Sequence, residues 1–241
     1  TGINPTDLVL KLGDNVIIDL AGHNIDIQNG KIEYGQNSAL QASNADVFFQ
    51  DITLTGNGSL GSTGFEGNAL SGFEMFSSQV SNLGLGVSLE NMNGAIIPKF
   101  DGVDFTNCNT GIHADNINLS FLYPLWITNV NINGGDIGVD ISNSIFVIFD
   151  NVNVVSSFTA AVKAVNTILV ASINCNYSVS GLAAVLLDEV NGYYMIGGRI
   201  FNNNIGIYGI MADIWLRNQA KIDNNDYGVV LVGQPGDYAM L

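Results

Sequence analysis

The chain carries very little positive charge: 7 Lys and Arg stand against 22 Asp and Glu in 241 residues, a formal net charge of −15. Neutralising phosphates takes a basic patch, so nucleic acid is excluded as a partner, and so are anionic membrane surfaces. Charge of either sign is scarce, at 12% of residues, while mean hydropathy is +0.28. Much of the outer face must therefore consist of Asn, Ser, Thr, Gly and exposed apolar groups, a surface that either binds something or packs against something. Cysteine is limited to Cys108 and Cys175, 67 residues apart. In a repeat of ~4.8 Å rise per unit that separation lies beyond disulfide reach, and both read as free, buried thiols. Two histidines and two cysteines give no zinc spacing, and no Ser-His-Asp elbow or phosphate loop occurs. No apolar run is long enough to span a bilayer, so membrane insertion is not expected. The chain opens on Thr1, with no initiator Met or signal-type segment, and is read as processed, trimmed or a fragment.

What the chain does contain is a repeat. NCNTGIHADN, GGDIGVDISN and FTAAVKAVN each give a small residue, an alternation of apolar and polar residues, and an Asn. With the small residue as anchor, Ala39, Gly86, Gly111, Gly138 and Ala161 are followed five positions later by Asn44, Asn91, Asn116, Asn143 and Asn166. Weaker copies are placed at Ala69, Ala184, Gly206 and Gly228, and the period settles at 22 to 23 residues toward the C-terminus. Each unit holds three short alternating runs separated by Asn, Asp, Ser and Gly, which read as three strands and their turns. The expected fold is all-β: a single-stranded, right-handed parallel β-helix of nine or ten coils of about 22–25 residues, as one domain over 1–241. The five Asn are expected to form an inward, stacked structural ladder that satisfies backbone groups at a bend, the alternative being surface turns that use left-handed dihedrals.

Asp14 to Ile25, with its Asp-x-x-Gly-His-x-Ile phrase, resembles the first coil of many right-handed parallel β-helix proteins. NCNTGIHADN, NNNIGIYGI and NNDYGVVLV resemble the Asn-x-x-x-Gly-Ile repeats of the pectin-lyase-like superfamily, including its NosD-like members. The resemblance covers nearly the whole chain and implies a fold, since members include lyases, hydrolases, epimerases, tailspikes, adhesins and binding proteins. The enzymes' own motifs are missing: there is no Arg-x-Pro-x-x-Arg of pectate lyases and none of the polygalacturonase set.

Two irregularities interrupt the repeat. Residues 53–68, TLTGNGSLGSTGFEGN, read as a surface loop, and Phe121 to Trp126 places large apolar residues around Pro124 as a bulged strand or an exposed aromatic patch. The last unit is followed only by GQPGDYAML, with no helix to cover it, so continuation of the chain or stacking on another copy is expected.

Alternation places one outward column at Gln41, Ser71, Ser88, His113, Asp140, Lys163, Leu186, Tyr208 and Val230. His113, Asp140 and Lys163 are the candidate catalytic residues, because a base, a carboxylate and an ammonium in one row could abstract a proton and stabilise an enolate. Asp115, Asp188 and Tyr208 on the same face are candidate ligand-binding residues. Against this stands a solvated strand face whose opposite charges simply pair. Asp136, Asp226, Asn109 and Asn204 share one place before their anchors and offer oxygens to calcium, but they lie several units apart, so no metal or other cofactor is expected. Short units, few charges and missing motifs favour an extracellular, non-enzymatic surface protein: an adhesin, stalk or assembly subunit that self-associates or holds a polysaccharide. The alternative is a polysaccharide lyase or hydrolase acting on the first-strand face.

Overall fold

Short alternating runs fold here in the only way that buries one side of each, by stacking on their own repeats. The computed structural model describes residues 9–92, 96–118, 124–233 and 239–240. Every strand pairing among them is parallel and joins a strand to its equivalent one turn later, giving an all-β solenoid of about 9 turns with no helix.

Each turn has three faces. Face one is a ten-stranded parallel sheet that runs from Ile17–Asp19 through Thr110–Asp115 to Tyr227–Val232. Face two includes Phe146–Asp150 and Tyr193–Ile196, and face three includes Asn153–Val155 and Arg199–Phe201. In-register stacking brings like residues together inside: Phe65, Val87, Ile112, Val139, Val162, Val185 and Ile207 form one inward column, all at 0% exposure. Each such side chain contributes roughly 1.5–3 kcal/mol by leaving water. The N-terminal half of the core is aromatic, with Phe49, Phe65, Phe73, Phe100 and Phe105 in a chain of ring contacts. Cys108 and Cys175 are buried free thiols, and burial pushes each up to about 11.

The corners turn through left-handed residues. Asn44, Asn91, Asn116, Asn143 and Asn166 all have φ between 48° and 56°, a region that Asn tolerates better than other side chains. Four of them are exposed and Asn116 is half-buried, so the ladder lies on the outside of the bend, where the sequence pattern had suggested an inward one. Their amides nevertheless stack: Asn116 Nδ2 donates to Asn91 Oδ1 at 2.7 Å and Asn166 Nδ2 to Asn143 Oδ1 at 2.8 Å, while Asn143 turns to Asp115. The inward ladder is elsewhere, at the corner from face three to face one. There the buried Asn203 accepts from the Ser180 backbone N–H at 2.8 Å and donates to Asn225 Oδ1 at 2.9 Å.

The stretch at 53–68 also differs from its reading as a loop. Thr63–Asn68 is a face-one strand, and only residues 56–62 connect it to the strand before. The anchor of this turn is therefore Gly64, where a Cβ would meet the Gly86 carbonyl oxygen at 2.5 Å. Ala69 instead takes the left-handed corner, at φ 53°, and Ser71 lies beyond it, ahead of Gly72–Phe76 and off face one. Trp126 is half-buried on face two, in register with Lys99 and Ile148; Phe121 to Tyr123, and most of the segment after Gly233, lie outside the described residues.

Candidate functional site

Parallel register converts sequence period into a row of side chains spaced by one strand separation, ~4.8 Å. The outward column of face one reads Asp19, Gln41, Glu66, Ser88, His113, Asp140, Lys163, Leu186, Tyr208 and Val230. Glu66 takes the place assigned from sequence to Ser71. The signal for it was present: Thr63-Gly64-Phe65-Glu66-Gly67-Asn68 repeats the pattern of Thr110-Gly111-Ile112-His113-Ala114-Asp115. A second outward column, two residues on, reads Ser43, Asn68, Glu90, Asp115, Ser142, Val165, Asp188, Ile210 and Val232.

His113, Asp140 and Lys163 sit on three successive strands and meet. Lys163 Nζ lies 3.1 Å from Asp140 Oδ1, and His113 Nδ1 lies 3.7 Å from Asp140 Oδ2. The facing Asp140 carboxylate is the largest influence on His113 and raises its pKa against the opposing effect of burial; Glu90 and Asp115 add to the rise. Burial alone would raise Asp140, but the bonds from His113 and Lys163 hold it below the usual carboxylate range. Asp115 is lowered chiefly by Ser142, whose hydroxyl donates to Asp115 Oδ1 at 2.6 Å. The row can hold and release a proton at His113, yet its one shared carboxylate already compensates both cations.

The other candidates are further off. Asp188 stands three strands along from Asp115 in its column, and Tyr208 is separated from Lys163 by Leu186. Beside the row, a shallow depression is lined by Glu66, Leu85, Ser88, Glu90, Thr110, His113 and Asp140, and a neighbouring one by Asp19, Gln41, Glu66, Asn68, Ser88 and Glu90 among others. Among the described residues no group of three His, Cys, Asp or Glu is placed to hold a metal ion.

Face one is divided along its length. Its first strands present acids, amides and hydroxyls; beyond Lys163 the same columns present Leu186, Tyr208 and Val230, and Val165, Asp188, Ile210 and Val232, with Asp188 the one charged group. The adjoining corner adds the exposed Ile168 and Met211, and face two continues the apolar surface with Ile173, Tyr194, Ile196 and Trp215. Tyr194 and Trp215 stack on each other at 4.5 Å between ring centroids and 10° between planes. Each ring thus covers one face of the other. Compared with known proteins, the chain matches no family model, no curated sequence and no solved structure.

Proposed function

We propose that this protein is a non-enzymatic, extracellular surface protein: a β-solenoid adhesin, stalk or assembly subunit that associates through the apolar half of its faces. The likeness to the pectin-lyase-like superfamily and its NosD-like repeats belongs to the same proposal. The observation that carries it is the division of face one, where the outward columns change from polar groups to Leu186, Tyr208, Val230, Ile210 and Val232, interrupted by Asp188 alone, within one continuous sheet. A largely apolar surface on a chain of so few charges favours a protein contact. Light scattering over a concentration series tests this. Association that rises with concentration and falls in Leu186→Lys and Tyr208→Lys supports it; a monomer at every concentration sinks it.

A second reading, a polysaccharide lyase or hydrolase, is favoured by the depression at His113 and Asp140. It predicts cleavage of a glycan by the purified chain, lost in His113→Ala. The compensation of Lys163 by Asp140 counts against it, because a lyase must offer a cation to its substrate.

A further inference from the structure

The polar half of face one contains an arrangement that association through the apolar half does not use. Ser88 belongs to the outward column, between Glu66 on the preceding strand and His113 on the following one. It is nevertheless only 3% exposed, because it lies at the floor shared by the two depressions. Its hydroxyl makes no hydrogen bond to another described residue and, unlike the enclosed Ser157 and Ser180 hydroxyls, which also lack partners, it opens into the depressions. A recessed hydroxyl that faces an open depression is free to donate to, or accept from, a ligand's polar atom.

The walls define what that ligand carries. Glu66 is the neighbour of Ser88 on the preceding strand, and Glu90 stands two residues along the same strand as Ser88, beside Asn68. No ion pair engages either carboxylate among the described residues. Gln41 Nε2 donates to one oxygen of Glu66 and orients the group. Of the nearest cations, Lys163 is turned to Asp140, and His113, which lines one depression and feels Glu90, is shared with Asp140 and Asp115. The acids outnumber the single histidine there, so the depression favours a cationic ligand over an anionic sugar polymer.

We propose that the depression floored by Ser88 and walled by Glu66 and Glu90 binds a compact organic cation that carries a primary ammonium and a neighbouring hydroxyl, the 2-amino alcohol unit. The ammonium sits between the two carboxylates and the ligand hydroxyl pairs with Ser88 Oγ. The unit occurs both in free amino alcohols and in de-N-acetylated amino sugars. The inference does not depend on the apolar half, so failure of either leaves the other standing.

The test is an amide NMR titration of the purified chain with ethanolamine, glucosamine, N-acetylglucosamine and putrescine. Ethanolamine and glucosamine are expected to give saturable shifts centred on Glu66, Ser88 and Glu90, weakened as salt is raised. Binding by only one of the two identifies which source of the unit fits. N-acetylglucosamine, which lacks the ammonium, gives none. Glu66→Gln and Glu90→Gln, isosteric surface changes, each weaken binding about fivefold. Ser88→Ala weakens ethanolamine but leaves putrescine, which has no hydroxyl, unchanged. The proposal is overturned by no saturable shift with either amino alcohol, by equal binding of N-acetylglucosamine, or by Ser88→Ala affecting neither ligand.

Discussion

Asp140 and Lys163 are joined across adjacent strands by a 3.1 Å ion pair, and the same carboxylate faces His113 from the other side. One acid therefore serves two cations. Asp140→Asn leaves His113 and Lys163 flanking an amide in a half-buried row, and the His113 imidazole should titrate closer to its ordinary value. A proton NMR titration of His113 in the wild type and in Asp140→Asn measures this directly.

The same row predicts a pH dependence of stability. His113 has a raised pKa in the folded chain, so its contribution is complete below the unfolded value of about 6.5 and is lost as pH rises through the folded value. Asp140 is depressed, so its contribution is present above about 3.9 and is lost as pH falls through its folded value. The difference in unfolding free energy between wild type and His113→Gln should be largest near pH 5–6, roughly 1 kcal/mol, and smaller at pH 8–9. Urea unfolding at the two pH values checks it; a difference that grows with pH contradicts it.

Gly86 lies where successive turns approach closely, and an added Cβ would meet the Gly111 carbonyl oxygen at 2.4 Å and the Phe105 ring at 2.9 Å. Both neighbours are fixed in the stack. Gly86→Ala is expected to destabilise the chain by about 1–3 kcal/mol, read as a lower denaturant midpoint.

The two kinds of Asn should respond differently. Asn166→Gly keeps the left-handed corner and should fall within about 0.5 kcal/mol of wild type, whereas Asn166→Ala loses about 1 kcal/mol to the strained φ. Asn203→Ala strands the buried Ser180 N–H, while Asn225 keeps its bonds to the Asn203 N–H and the Ile200 carbonyl, and should cost about 1–3 kcal/mol. A larger loss at Asn166→Ala than at Asn203→Ala would reverse the assignment of outer and inner ladders.

Trp126 and Trp215 report on different turns. The inward residues of the last described turns, Leu216, Ile222, Val229 and Leu231, are only partly buried. In a repeat stack each turn is held by its neighbours alone, so thinly covered turns open first. Fluorescence of Trp215 in Trp126→Phe should change at a lower denaturant concentration than that of Trp126 in Trp215→Phe. Coincident transitions would show a single cooperative unit.

The architecture was legible because a solenoid writes its period into the chain: Gly111, Gly138 and Ala161 and the alternation after them place face one correctly from His113 to Val230. The error at Ala69 and Ser71 arose where glycine serves close packing. Gly61, Gly64 and Gly67 resemble loop composition, yet Gly64 and Gly67 occupy strand positions where Gly86 and Leu70 leave no room for a Cβ. The Asn pattern marked the corners but not which way the side chains point, since a left-handed turn and an inward amide use the same residue type. Asn202-Asn203 and Asn224-Asn225 show the distinction, the first of each pair turning the corner and the second entering the core or its edge. The pairing of Lys163 with Asp140 follows from register and could be read once the period was known. The isolation of the Ser88 hydroxyl depends on how deep its neighbours stand, which no spacing records.

The change along face one from acids and amides to Leu186, Tyr208 and Val230 makes the molecule a lengthwise amphiphile. An amphipathic helix separates oil-loving from water-loving groups across its axis and lies flat where the two phases meet. This rod separates them along its axis. A flat apolar surface would grip one half of it and leave the other raised into water, so attachment and presentation are assigned to opposite ends of the same sheet.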